Sequence, residues 1–302
     1  MKRIVSLLPS ATDVVGSLGL ERWLVGVSHE CDWPSSVHEL PRLTRSLIAA
    51  DAEPGQVDSL VGQSLHAHRS LYALDADLLD QLRPDVILTQ ELCDVCAVNY
   101  DQVLGAVRLL RQDGDSPAIV SLEPTCLGDV LQAVQTVADV LDESERGRQT
   151  VSLLQARIDD LRRRSQAIRA RLSVLVLEWT DPPFVGAHWV PDMVDAAGGI
   201  NVPLQERFRG VPSRRVTWEE IRASDPDLIV IGPCGYDRTR AAEAISQLGA
   251  RPEWRSLRAV QSDRVYPVDA NAHFSRPGPR LIDGIEDLQR ILMNCGRVGK
   301  PG

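Results

Sequence analysis

The sequence predicts an α/β protein of two lobes, each a mostly parallel sheet flanked by helices, joined by one long backbone helix. Three observations carry this expectation. Short apolar runs alternate with amphipathic stretches almost from end to end, the order expected of strand–helix–strand units. A phrase recurs across the halves: Leu82-Arg83-Pro84-Asp85-Val86-Ile87-Leu88 and Ser224-Asp225-Pro226-Asp227-Leu228-Ile229-Val230 each read as helix end, Pro-Asp, then buried strand. Between them lies a helical pattern that neither Pro nor Gly interrupts from Arg148 to Leu172.

Arg3–Leu8 reads as the first strand, followed by a helix over Ser10–Leu18 that Gly19 stops. Trp23–Val27 is a second strand. Asp75–Leu82 is helical and ends ahead of Pro84, because proline disfavours helix at the residue before it. Asp85–Thr89 then forms a buried strand, Asn99 or Asp101 opens a helix carrying Val103, Val107 and Leu110, and Ala118–Leu122 is the next strand. In the middle, Val151, Leu154, Ile158, Leu161, Ile168 and Leu172 recur at helical spacings, with Asp142, Glu143 and Glu145 as first-turn acids. A helix over Arg148–Leu172 would be ~37 Å long at 1.5 Å per residue, enough to span a lobe. The division expected is therefore an N-terminal lobe over 1–141, a linking helix over 142–172 and a C-terminal lobe over 173–302. In the last of these, Ser173–Glu178, Leu228–Ile231 and Arg264–Val268 read as strands. Pro191–Ala197, Trp218–Ala223, Arg238–Leu248 and Pro279–Met293 read as helices, the first of them stopped by Gly198-Gly199.

Composition excludes several partners. A net charge of −9 and the lack of a basic stripe argue against nucleic acid and anionic membranes. The Arg-dense stretch Arg162–Arg171 is a solvated helix face beside Asp159 and Asp160. No apolar run reaches the ~20 residues of a membrane span. The run Ile4–Leu8 is short, broken at once by Pro9 and followed by no small-residue cleavage site, so the chain reads as cytoplasmic. In that compartment the six cysteines are expected as free thiols, metal ligands or reactive groups and not as disulfides.

Ligands of open parallel sheets bind beyond the carboxyl ends of the strands, which directs attention to the loops there. Five cysteines (Cys31, Cys93, Cys96, Cys126 and Cys234) fall in those loops, alongside His29, His273, Trp33, Trp179, Phe184, Tyr236 and Phe274. Aromatic residues are only 4% of the chain, so their placement is not a by-product of abundance. Each ring alone would be read as core; together they suit the wall of a large pocket. His29, Cys31, Cys93 and Cys96 have the ligand types of a tetrahedral thiolate–imidazole metal site. His66 and His68, two apart in a helical reading, face different ways. No dinucleotide fingerprint, P-loop, zincin helix or serine elbow is present in the sequence.

Several stretches resemble the helical-backbone substrate-binding proteins of ABC importers, and within them the cobalamin-binding proteins. They are Ile4–Asp13 (IVSLLPSATD), Leu24–Pro34 (LVGVSHECDWP), Leu82–Leu88, Pro182–Asn201 (PPFVGAHWVPDMVDAAGGIN) and Ser275–Arg280 (SRPGPR), in order along both halves. The form resembled is a cytosolic-type branch without a signal peptide. The resemblance implies two lobes on one backbone helix, non-catalytic binding of cobalamin or a related corrinoid or metal chelate between them, and an ABC permease as partner. It also implies a contact set: Trp33, Gln90 and Glu91 from the first lobe, and Pro183, Phe184, His188, Trp189, His273 and Phe274 from the second. His29 or a thiol would be a natural ligand for the cobalt. The competing reading is a cytosolic enzyme or metallochaperone that uses Cys93 and Cys96 with His29 and Cys31 around a thiolate-bound metal ion.

Overall fold

The short apolar run at the N-terminus is the centre of a parallel sheet. The computed structural model describes residues 1–48, 60, 63, 71–90, 103–105, 116–168, 170–203 and 210–297. These fall into two compact units, Met1–Pro124 with Gln132–Val151, and Thr125–Leu131 with Ser152–Gly302.

In the first unit β1 (Ile4–Ser6) leads into α1 (Pro9–Ser17), then β2 (Leu24–Val27). A small antiparallel pair follows, β3 (Thr44–Ser46) with β4 (Tyr72–Leu74). Next come α2 (Ala76–Leu82), β5 (Val86–Thr89) and β6 (Ala118–Ser121). The four-stranded sheet runs β2-β1-β5-β6, all parallel. Ile4, Val5, Ile87 and Leu88 are fully buried in it, as strands covered on both faces must be. The helix sketched from Asn99 or Asp101 falls mainly outside the described residues, and only Val103–Gly105 of it is seen, as helix.

A helix that the sequence reading left out, α3 (Leu127–Val140), precedes α4 (Ser144–Ser165). The start of α4 belongs to the first unit, where Arg146 Nη1 donates to Leu18 O at 3.1 Å. Its end belongs to the second, where Arg157 pairs with Asp283 and Glu286 and Leu161 O accepts from Gln289 Nε2 at 2.7 Å. The helix stops at Ser165, short of Leu172. The chain there tightens into i→i+3 turns, with Gln166, Ala167 and Ile168 bonding back to Arg163, Arg164 and Ser165.

The second unit opens with β7 (Ser173–Thr180), which turns at Asp181-Pro182 into β8 (Pro183–Val185). Then follow α5 (Val190–Ala197), β9 (Ile200–Val202), β10 (Arg214–Arg215), α6 (Trp218–Ser224) and β11 (Leu228–Ile231). The rest is α7 (Arg238–Leu248), α8 (Pro252–Arg255), α9 (Arg258–Gln261), β12 (Val265–Pro267), α10 (Ala270–His273) and α11 (Leu281–Arg297). Strand order is β10-β8-β7-β11-β12, with β9 on β7. Both β8 contacts are antiparallel and the remainder parallel. Val174–Leu177 and Leu228–Ile231 are the buried middle, and Leu281, Ile285, Leu288 and Leu292 give α11 the apolar stripe that covers the unit.

The recurring phrase is one structure built twice. Arg83 and Asp225 each end a helix in the left-handed conformation, at φ 42 and 37. Asp85 then takes the backbone N–H of Arg3 at 2.7 Å, as Asp227 takes that of Ser173 at 2.9 Å. Each carboxylate thus ties the residue at the start of the neighbouring strand, Arg3 just ahead of β1 and Ser173 the first of β7, and each aspartate N–H returns a bond to that same residue's carbonyl, at 2.8 and 3.0 Å.

Candidate functional site

The two units are taken in turn, at the carboxyl ends of their parallel strands. In the first, α1 starts directly after β1, and Thr12 Oγ1 on its first turn reaches Ser6 Oγ at 2.8 Å and Cys31 Sγ at 3.0 Å. Cys31 is only 2% exposed, so its thiol is a packed core group. Arg42 Nη1 holds the loop after β2 by donating to Ser28 O and Cys31 O at 3.0 and 2.8 Å. His29 is fixed differently. Thr44 Oγ1 accepts the His29 backbone N–H at 3.0 Å and lies 2.7 Å from His29 Nδ1. The ring nitrogen and the hydroxyl share one hydrogen bond, in which either can be the donor. Burial first, and the Arg42 charge second, hold the His29 pKa below its ordinary value, in keeping with a neutral ring. Tyr72 leans on the ring at 5.4 Å. With Nδ1 engaged by Thr44, Nε2 is the ring nitrogen that faces Glu30 Oε1, at 4.0 Å.

Trp33 is half-buried and rests on α1 at Gly16, where a Cβ would come within 2.6 Å of the indole Cζ3 and 3.0 Å of Pro34 Cδ. Gln90 directly follows the last residue of β5 and is half-buried. Glu91, Cys93 and Cys96, like His66 and His68, lie outside the described residues. Among the described residues, no three His, Cys, Asp or Glu side chains stand together as a metal-holding group.

In the second unit the strand-end loops are knitted by backbone bonds: Cys234 N to Glu178 O at 3.1 Å, Asn271 N to Tyr236 O at 3.0 Å. Arg276, 8% exposed, donates to Asn271 Oδ1 at 2.8 Å. Two aromatic groups result. Trp179 meets Tyr236 edge-on at 5.8 Å and pairs across the hairpin with Phe184. His188 stacks on Trp189 at 5.3 Å, and Trp189 Nε1 donates to Phe274 O at 2.7 Å, which locks the indole. His188 has a positive φ of 51, held by bonds from its N–H to Val211 O and from Gly210 N–H to its carbonyl. Its Nδ1 is buried without a hydrogen-bond partner among the described residues, and burial lowers its pKa.

Of the expected contact residues, Phe184, His188 and Trp189 present half-buried rings at these loops. Phe274 is 4% exposed and contributes its carbonyl, while His273 Nδ1 is engaged by Asp287 Oδ2 on α11 at 3.2 Å. Trp179 and Tyr236 were legible only as loop aromatics; Arg215, Arg240 and Arg276 were not singled out. Tyr236 precedes the Asp237 cap of α7 and lies outside that helix, so helical spacing gave no signal for Arg240. The Arg240 guanidinium carbon is 4.1 Å from the Tyr236 ring centroid.

The family model for periplasmic binding proteins matches residues 4–272, nearly the whole described chain. The chain belongs to the periplasmic binding protein family. A relative from Bacillus subtilis (strain 168), the ABC transporter substrate-binding lipoprotein YvrC, is 23% identical over 294 residues, covering 96% of this chain and 80% of the relative. Solved structures share the fold. The periplasmic vitamin B12 binding protein BtuF of Vibrio cholerae aligns with TM-score 0.67 at 22% identity over 97% of each chain. The periplasmic heme-binding protein RhuT from Roseiflexus sp. RS-1 aligns with TM-score 0.72 at 22% identity, over 98% of this chain and 99% of that one.

Membership corrects the expected cytoplasmic location. The family is periplasmic and the Bacillus relative is a lipoprotein. The reading failed because it drew a compartment from the run Ile4–Leu8, whose residues serve the central strand and the start of α1. Among the described residues no helix is long and apolar enough to cross a membrane.

Proposed function

We propose that this chain is the substrate-binding component of an ABC importer and holds a corrinoid, cobalamin or a close relative, reversibly and without bond chemistry. The observation that carries the reading is the set of half-buried rings at the strand ends of the second unit. Trp179 and Phe184 stand side by side, and Trp189 is fixed by its bond to Phe274 with His188 stacked upon it. Rings held in this way offer apolar faces to a macrocycle at little cost in side-chain entropy. His188, neutral through burial, is the imidazole nearest this set and a suitable neighbour for a metal chelate. From the first unit the same reading assigns Trp33, Gln90 and Glu91 to the ligand. His273 and Phe274 then act as supports of the site, through Asp287 and Trp189.

The family and the binding proteins among its relatives support capture over catalysis. Delivery to a permease belongs to the same proposal. Titration of the folded protein with hydroxocobalamin, followed by its visible spectrum and by calorimetry, tests it. One-to-one binding that weakens about tenfold or more in Trp189→Ala is expected, since a buried ring is worth roughly 1.5–3 kcal/mol. A folded protein that leaves the corrinoid spectrum and heat signal unchanged would overturn it.

A further inference from the structure

The rings of the second unit continue into cations at both ends. Tyr236 abuts Trp179, Trp179 pairs with Phe184, and Phe184 pairs in turn with Arg215 on β10. Directly paired residues share a sheet face, so Trp179, Phe184 and Arg215 form one row. At its other end Arg240 lies over the Tyr236 ring. Both arginines are exposed. Among the described residues neither guanidinium has a carboxylate, whereas neighbouring Arg214, Arg251 and Arg258 are paired with Glu220, Asp181 and Asp225. Asp237, one turn before Arg240, has Oδ1 on the backbone N–H of Arg240 as the helix cap. In a chain of net charge −9, the two guanidinium groups place positive charge at both ends of the aromatic row.

Resting on the corrinoid reading, we propose that Arg215 and Arg240 are specificity residues that favour, among the corrinoids the site holds, those bearing free carboxylates over fully amidated ones such as cobalamin, which bind more weakly. The rings take the apolar body, and the guanidinium groups take anionic arms at its rim. Arginine suits that role because its planar fork donates two parallel hydrogen bonds to one carboxylate, and charge-assisted bonds are about twice as strong as neutral ones. An amide arm would bring only a neutral acceptor to the same donors.

The probes are dicyanocobyrinic acid, a corrin polycarboxylate, and dicyanocobinamide, its amidated counterpart, which share cobalt, ring and chromophore. Calorimetry at low and high salt measures both against the wild type, Arg215→Gln, Arg240→Gln and the double variant. The wild type is expected to prefer the polycarboxylate by about tenfold or more at low salt, the preference shrinking with added salt. Each single variant should lower the ratio of affinities several-fold and the double variant should abolish it; Arg240→Lys should restore part. Reading the ratio separates selection from any general loss of packing at Tyr236. Equal wild-type affinities, a preference for cobinamide, or a ratio unmoved in the double variant would overturn the inference and leave the corrinoid reading intact. Binding of neither probe would overturn both.

Discussion

His29 and His188 stand in different units yet share one condition: burial holds each imidazole's pKa below its ordinary value. The sign of the consequence follows. The unfolded chain takes up protons at about pH 6.5 that the folded rings refuse, so stability is full above that value and falls as pH drops through it. His29→Gln and His188→Gln should each flatten the thermal stability profile between neutral and mildly acid pH; a profile as steep as the wild type in both variants would contradict this. Asp287 behaves oppositely and lower down. The hydrogen bond from His273 holds its carboxyl below the ordinary range against the effect of burial, with Arg290 assisting. Its stabilisation is present above about pH 4 and lost below, so Asp287→Asn should cost about 1–2 kcal/mol at neutral pH and nothing in strong acid. At this scale the sequence was informative about which rings sit at strand ends, because strand and loop alternate visibly. It could not tell that Phe274 and His273 serve neighbours, or that Thr44 anchors the His29 ring, since those depend on partners distant along the chain.

Between elements, α11 approaches α10 closely: a Cβ on Gly284 would come within 2.7 Å of Met193 Cε and closer still to the His273 carbonyl oxygen. Alanine is normally the better helix former by about 1 kcal/mol. Here backbone cannot yield as a flexible side chain can, and Gly284→Ala is expected to lose about 1–3 kcal/mol in denaturant unfolding instead of gaining stability. The twin aspartate joints allow a paired test. Asp227 also meets Arg258 Nη1 at 2.9 Å and Ser173 Oγ at 2.9 Å, whereas the Asp85 carboxylate has the Arg3 N–H. Asp227→Ala should therefore cost more than Asp85→Ala, about 2–3 against about 1 kcal/mol by chemical denaturation. Element limits were readable where local chemistry sets them: Arg238–Leu248 and Leu228–Ile231 match residue for residue, as Asp237 caps the one and flanking loops bound the other. The apolar series Leu127, Val130, Val134 and Val137 carries α3 at helical spacing, a signal that the expected elements did not include. Ile168 misled in the other direction. It keeps helical spacing yet packs beside Gly198, beyond the end of α4.

For the whole molecule, each unit holds an apolar cluster of its own, around Val5, Leu79 and Ile87 in one and Leu175, Ile229 and Trp254 in the other. Ile87→Ala and Ile229→Ala, both at fully buried positions, should each cost about 2–5 kcal/mol. Amide exchange is expected to lose protection in the sheet that carries the substitution; equal loss in both sheets would show that the units open together. The α/β class and the parallel sheets were legible because alternation and buried runs are local signals. Compartment was not, since nothing in core packing records where a protein resides. The joint at Asp85 and Asp227 has one more consequence. The same few atoms lock two strands in different places, so the piece is a transplantable part: a chain carrying Leu82–Leu88 in place of Ser224–Val230 keeps the aspartate that receives Ser173. Such a chimera is expected to unfold in denaturant close to the wild type, and failure to fold would show that the joint depends on its surroundings.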